Sequence, residues 1–241
     1  MVKKGGKPSK IKNHSVISNK TPKVFSFQKS FYDKILSNPD IPQDRKDKKL
    51  KELMDKSVNT DVKFSPLSGY EPKYEPERWN DNPNILNTHN CYSYSMDLRS
   101  NRKGKAQPGY FSSHNHISNN DYGSCTKFYQ RLKKDIPGIT LSSFGSRCPK
   151  GTSKNFIAIS PGDDTDYHFY RQDAPTDKSK HGLWSHKPGR TKVVNVDADG
   201  KLILNPVKAN RKYTHLDYSK PCFFYCNPKR MARSSSITTH N

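Results

Sequence analysis

Nowhere in this 241-residue chain does an apolar run approach the roughly eighteen residues that a membrane-spanning helix needs. No apolar stretch follows the basic start Met1-Val-Lys-Lys-Gly-Gly-Lys7 either, so the sequence predicts neither a membrane span nor secretion through an ordinary signal peptide. Apolar residues are few, 31% of the total, which limits the chain to a modest core. Acidic residues are scarce too: 22 Asp and Glu face 43 Lys and Arg, a formal charge of +21. Such a balance draws polyanions through phosphate contacts and counterion release, but it identifies no substrate. Cysteines number five, an odd count that implies a reducing compartment or at least one free thiol, with Cys91 expected to be the free one.

What is present is aromatic. Phe, Trp and Tyr make up 11% of the residues, and each buries a large area, so the chain is not disordered throughout. Residues 1–56 hold 15 Lys and Arg against 6 Asp and Glu, with little to pack. Residues 1–25 read as a disordered basic arm, and residues 26–60 as a helical docking segment in which Leu50, Leu53 and Met54 recur at helical spacing. Residues 61–83 form a Pro- and aromatic-rich strap, because proline removes backbone donors and favours extended chain.

The folded unit is expected over residues 84–226, followed by a flexible tail at 227–241. Asn87, Thr88 and Asn90 are N-cap residues ahead of a short helix from Cys91 to Leu98. Cys125, Phe128, Tyr129 and Leu132 fall at i, i+3, i+4, i+7, an amphipathic helix stopped by Pro137-Gly138. From there the period becomes two, and strands are expected at residues 139–144, 155–160, 167–172, 182–186, 192–196 and 201–204. Helices followed by a hairpin-connected antiparallel sheet make an α+β fold.

That order places a thiol and two imidazoles together. A helix N-terminus and a neighbouring imidazolium stabilise a thiolate, so Cys91 is the candidate nucleophile. His168, on the following strand, is the candidate base, and His186, one strand further, the residue that orients it. Asn195 is the alternative third residue, and Asn87 and Asn90 are candidate oxyanion donors. Taken singly, a buried Cys or a His among aromatics is ordinarily a core residue; their order is what suggests chemistry.

The arrangement of Cys91, His168 and His186 resembles the papain-like cysteine hydrolases, especially cell-wall peptidases of the NlpC type and the CHAP amidohydrolases. The resemblance implies a papain-like fold with N-terminal helices on the sheet, and a peptidase or amidase acting on an amide bond without a cofactor. A second resemblance rests on Ser68-Gly-Tyr-Glu-Pro72, His89-Asn-Cys-Tyr92, His168-Phe-Tyr-Arg-Gln-Asp173 and Trp184-Ser-His-Lys-Pro-Gly189. These motifs are similar to those of an uncharacterised family of large DNA viruses, which implies a virion or host-cytoplasm setting.

The alternative is a non-catalytic virion structural or packaging protein, its basic arm on nucleic acid or an acidic virion protein. A zinc site built from Cys125, Cys148, Cys222 and Cys226 lacks paired ligand spacing, and His114-Asn-His116 reads as solvated loop, so no metal is expected.

Overall fold

A computed structural model describes residues 31–58, 61–99, 105–112, 119–162, 166–177 and 179–228. The expected basic arm, His114, His116 and residues 229–241 of the expected tail lie outside the described residues.

The fold is α+β. Helices come first: α1 (residues 31–37), α2 (Gln43–Val58), α3 (Glu77–Asn80), α4 (Pro83–Thr88), α5 (Cys91–Ser95), α6 (Asn119–Tyr122) and α7 (Cys125–Asp135). Strands follow: β1 (Thr140–Ser142), β2 (Thr152–Ile159), β3 (Tyr167–Gln172), β4 (Trp184–Ser185), β5 (Lys212–Tyr213), β6 (Leu216–Asp217) and β7 (Lys220–Pro228). Five of them form one antiparallel sheet in the order β1-β7-β2-β3-β4, while β5 and β6 pair as a separate hairpin.

Local chemistry explains where the helices begin. Ser124 accepts the Lys127 N–H to cap α7, whose Phe128, Tyr129 and Leu132 are fully buried against the sheet. The basic residues interleaved with them are therefore the outer face of a core helix. Asn82 caps α4 ahead of Pro83, and Asn90 caps α5 by accepting the Ser93 N–H at 3.1 Å.

The sheet departs from expectation at two places. Its longest strand, β7, was not anticipated, because Cys222 to Cys226 shows no alternation and prolines stand at 221 and 228. Alternation is absent because both faces of β7 are covered, every residue from Cys222 to Asn227 being buried. It also runs to Pro228, into the region assigned to a tail. Conversely, the strands expected at 192–196 and 201–204 reduce to single bridges, His186 with Val194 and Val196 with Leu202. Asp197 accounts for this by accepting the N–H groups of Asp199 and Lys201, which turns the chain between them.

The strap region is extended only as far as α3 and α4, so it ends in helix and not in extended chain. Its extended part is held by the end of β3: Gln172 Nε2 donates to Ser65 O at 2.8 Å, and Arg171 donates to Lys73 O at 3.0 Å. Arg171 is 1% exposed, pairs with Asp173 at 2.9 Å, and lies 3.8 Å over the Tyr94 ring of α5. One buried guanidinium thus joins strap, sheet and α5. Nearby, Gly182 has no room for a side chain, since a Cβ there would sit 2.2 Å from Asp173 O and 2.7 Å from Leu67 Cδ2.

Four of the five cysteines pair. Cys125 of α7 bonds to Cys222, and Cys148 bonds to Cys226, so both bridges end on β7. The zinc alternative is replaced by these disulfides, and Cys91 alone is free. No helix among the described residues is long and apolar enough to cross a membrane.

Candidate functional site

Cys91 is the first residue of α5 and is 5% exposed. The helix lies on β3, and the thiol points at that strand, with Sγ 4.0 Å from Tyr167 O as a weak donor contact. Burial pushes the thiol up to about 12, against the backbone N–H groups of Phe169 and Tyr92, which face the sulfur. The negative charge of Asp166 adds to the rise and the Lys105 ammonium offsets part of it. A lowered thiol was expected from the helix start. With five residues, α5 has little dipole to offer, and desolvation outweighs it.

The two histidines meet directly. His168 Nε2 lies 2.7 Å from His186 Nδ1, and His186 Nε2 lies 3.0 Å from Val196 O. A carbonyl can only accept, so His186 carries its proton on Nε2 and presents Nδ1 as an acceptor. His168 must then donate from Nε2, which leaves a lone pair on its own Nδ1. Burial holds His168 well below the ordinary imidazole range, with the His186 ring adding to the effect. Burial also takes His186 down to about 4, opposed by its bond to Val196 O and by the Asp197 charge. Both rings are neutral at pH 7, as this chain of single donors and acceptors requires. Tyr218 stacks on His168 with ring centroids 4.8 Å apart and fixes its plane.

Cys91 and His168 line one cavity of about 420 Å³. Lys105, Arg190, Tyr122 and Tyr218 form other parts of its wall, while His186 stands behind His168 and does not border it. Asn195 borders a different cavity, with Phe64 and Asp173, so the alternative third residue is not placed beside His168. Neither oxyanion candidate is free to serve. Asn87 is exposed on α4 with its amide donating to Pro83 O. Asn90 borders the cavity, but its carbonyl caps α5 and its amide donates to Ala106 O at 2.8 Å.

Lys187 is the residue sequence reasoning passed over. Fully buried, its ammonium donates to Leu86 O and Gly189 O at 2.8 Å and to Thr191 O at 3.1 Å. All three N–H groups are used, and residues 188–191, one wall of the cavity, are tied to α4. Burial lowers this lysine to about 8. The only signal was its place between His186 and the Pro188-Gly189 turn, where a lysine ordinarily reads as solvated.

Among known proteins, insoluble matrix shell protein 1 of Ruditapes philippinarum is 34% identical to this chain over 142 residues, covering 58% of the chain and 81% of that protein. The chain belongs to that protein's family. No family model matches, and no solved structure matches, so the papain-like assignment within the α+β class is not confirmed. The similarity overturns the viral description and the thiol-protease description that went with it, because the matched protein is a shell matrix component of a mollusc. The expected virion or host-cytoplasm setting is likewise unsupported.

Proposed function

We propose that this protein is a structural component of an insoluble extracellular matrix. The observation that carries the reading is the 34% identity to a shell matrix protein across 81% of its length. Two features of the chain agree with it. Disulfides persist in oxidising compartments, and here two of them fasten the interior strand β7 to α7 and to the loop before β2. A formal charge of +21 favours association with acidic matrix polymers, the partner class that the basic composition suggests. Fractionation of the source tissue tests the proposal: the protein is expected in the extracellular insoluble fraction, and recovery from the soluble cytosol would refute it.

A second reading is favoured by the side-chain chain at the cavity. In it, Cys91 is the nucleophile of an acyl-transfer centre, His168 its base and His186 the residue that orients that base. The His186–Val196 bond supports it, since it leaves His168 with a lone pair on Nδ1, and His168 and Cys91 line the same cavity. With thiol and imidazole both neutral at rest, the proton passes from sulfur to His168 as sulfur bonds to an amide carbonyl carbon. The imidazolium then protonates the departing amine, and the thioester passes its acyl group to an acceptor amine. His168→Ala is expected to slow alkylation of Cys91 by iodoacetamide at pH 8 at least tenfold; an unchanged rate removes His168 from the role of base.

A further inference from the structure

The cavity over Cys91 carries two cationic residues against one carboxylate. Lys105 and Arg190 border it, and neither has an ion-pair partner among the described residues. The one described carboxylate in the wall is Asp166, and both of its oxygens are engaged: Oδ1 accepts the Tyr167 N–H at 2.8 Å and Oδ2 the Tyr218 hydroxyl at 2.7 Å. Asp166 thereby holds the ring that stacks on His168 and has a structural task inside the wall. The Lys105 ammonium lies close to the Gly189 backbone, 3.6 Å from where a Cβ at Gly189 would be, so it reaches across to the wall that Lys187 fixes. Arg190 and Thr191 are exposed at the rim of that same wall.

A cavity lined by two cations without ion-pair partners among the described residues, the Lys105 ammonium beside Gly189 and Arg190 next in the chain, is matched by a ligand that brings carboxylate. The apolar and aromatic remainder, Tyr122, Leu216 and Tyr218, accepts the carbon skeleton that carries it. Arginine suits the bidentate geometry of a carboxylate, while lysine supplies a point charge that can follow the group as it moves.

We propose that the cavity receives acidic polypeptide, with Lys105 and Arg190 holding its carboxylates while an amide of the same segment lies against Cys91. The inference rests on the acyl-transfer reading of the site and deepens it, by naming the class of donor. It also unites that reading with the matrix role, because the bound partner and the general attraction of the basic chain are both acidic polymers.

Because the other four cysteines are disulfide-bonded, alkylation of the unreduced full chain reports Cys91 alone. The probes are iodoacetate and iodoacetamide, similar in size and differing in charge. The wild-type rate ratio of iodoacetate to iodoacetamide is expected to fall about tenfold in the Lys105→Gln/Arg190→Gln double variant, and to fall in the wild type as salt rises. The ratio cancels any change in the Cys91 thiolate fraction that loss of the Lys105 ammonium brings, and an unchanged urea-unfolding midpoint establishes that the double variant is folded. Polyaspartate should slow iodoacetamide in the wild type and leave the double variant unaffected. An unchanged ratio overturns the carboxylate preference while leaving the nucleophile in place. Resistance of Cys91 to both reagents until the chain is unfolded overturns the preference and the acyl-transfer reading together.

Discussion

Removing the bridge between Cys148 and Cys226 should cost a calculable part of the protein's stability. Both disulfides end on β7, four residues apart, and their other ends lie 23 residues apart at Cys125 and Cys148. With Cys125–Cys222 intact, the second bridge therefore closes a path of about 27 residues and not the full separation of 78. Loop-closure entropy for such a path is worth about 3.5 kcal/mol at 25 °C, against about 4.5 kcal/mol if the bridge stood alone. The double substitution Cys148→Ala/Cys226→Ala removes it without leaving a reactive thiol. At a urea dependence of about 2.5 kcal/mol per molar, the unfolding midpoint should fall by about 1.4 M. A fall below about 0.4 M refutes the reasoning, because the pair would then not be constraining the unfolded chain.

Three further outcomes follow from the packing. Gly182→Ala puts a methyl group against the Asp173 carbonyl and Leu67, so urea unfolding should show a loss of about 2 kcal/mol or more; a loss below about 0.5 kcal/mol would mean the backbone relaxes freely. Lys187→Met leaves the carbonyls of Leu86, Gly189 and Thr191 without their shared donor, a loss of about 3 kcal/mol in the same assay, and a change under about 1 kcal/mol would deny the lysine its positioning role. His186 is held near 4 in the fold and returns to about 6.5 unfolded, so the unfolded chain takes up its proton first and this group's contribution is lost as pH falls from 6.5 through 4, about 3 kcal/mol in all. Asp173, which burial pushes up to about 6, acts in the opposite sense over that range, so the test compares proteins. The stability gap between wild type and His186→Gln should narrow by about 3 kcal/mol between pH 7 and pH 4, and a constant gap would contradict the neutral pair.

Where one local rule decided the structure, the sequence disclosed it. The spacing of Phe128, Tyr129 and Leu132 and the stop at Pro137-Gly138 were enough for α7, and the short aromatic run about His168 was enough for β3. Where the tertiary surroundings decided, it was silent. Strand β7 carries no period because both of its faces are covered, and its prolines sit close to its two ends. The proximity of His168 and His186 followed from strand order, but the tautomer depends on a bond to Val196 O, a backbone atom that no side-chain pattern reveals. Cys91 was expected to be activated because a helix start is visible in sequence; the burial that reverses the effect is not. The buried role of Lys187 was hidden for the same reason, since three carbonyls supplied by separate segments only converge in the fold.

The account as a whole depends on a chain matured in an oxidising compartment, with β7 fastened twice and one thiol left over. Its most direct test is a thiol count on protein isolated from its own source, alkylated in denaturant without reductant and resolved by peptide mass. One alkylated residue per chain is predicted, Cys91, with Cys125 joined to Cys222 and Cys148 to Cys226. Alkylation of all five cysteines would contradict the extracellular matrix assignment and the stapled fold alike.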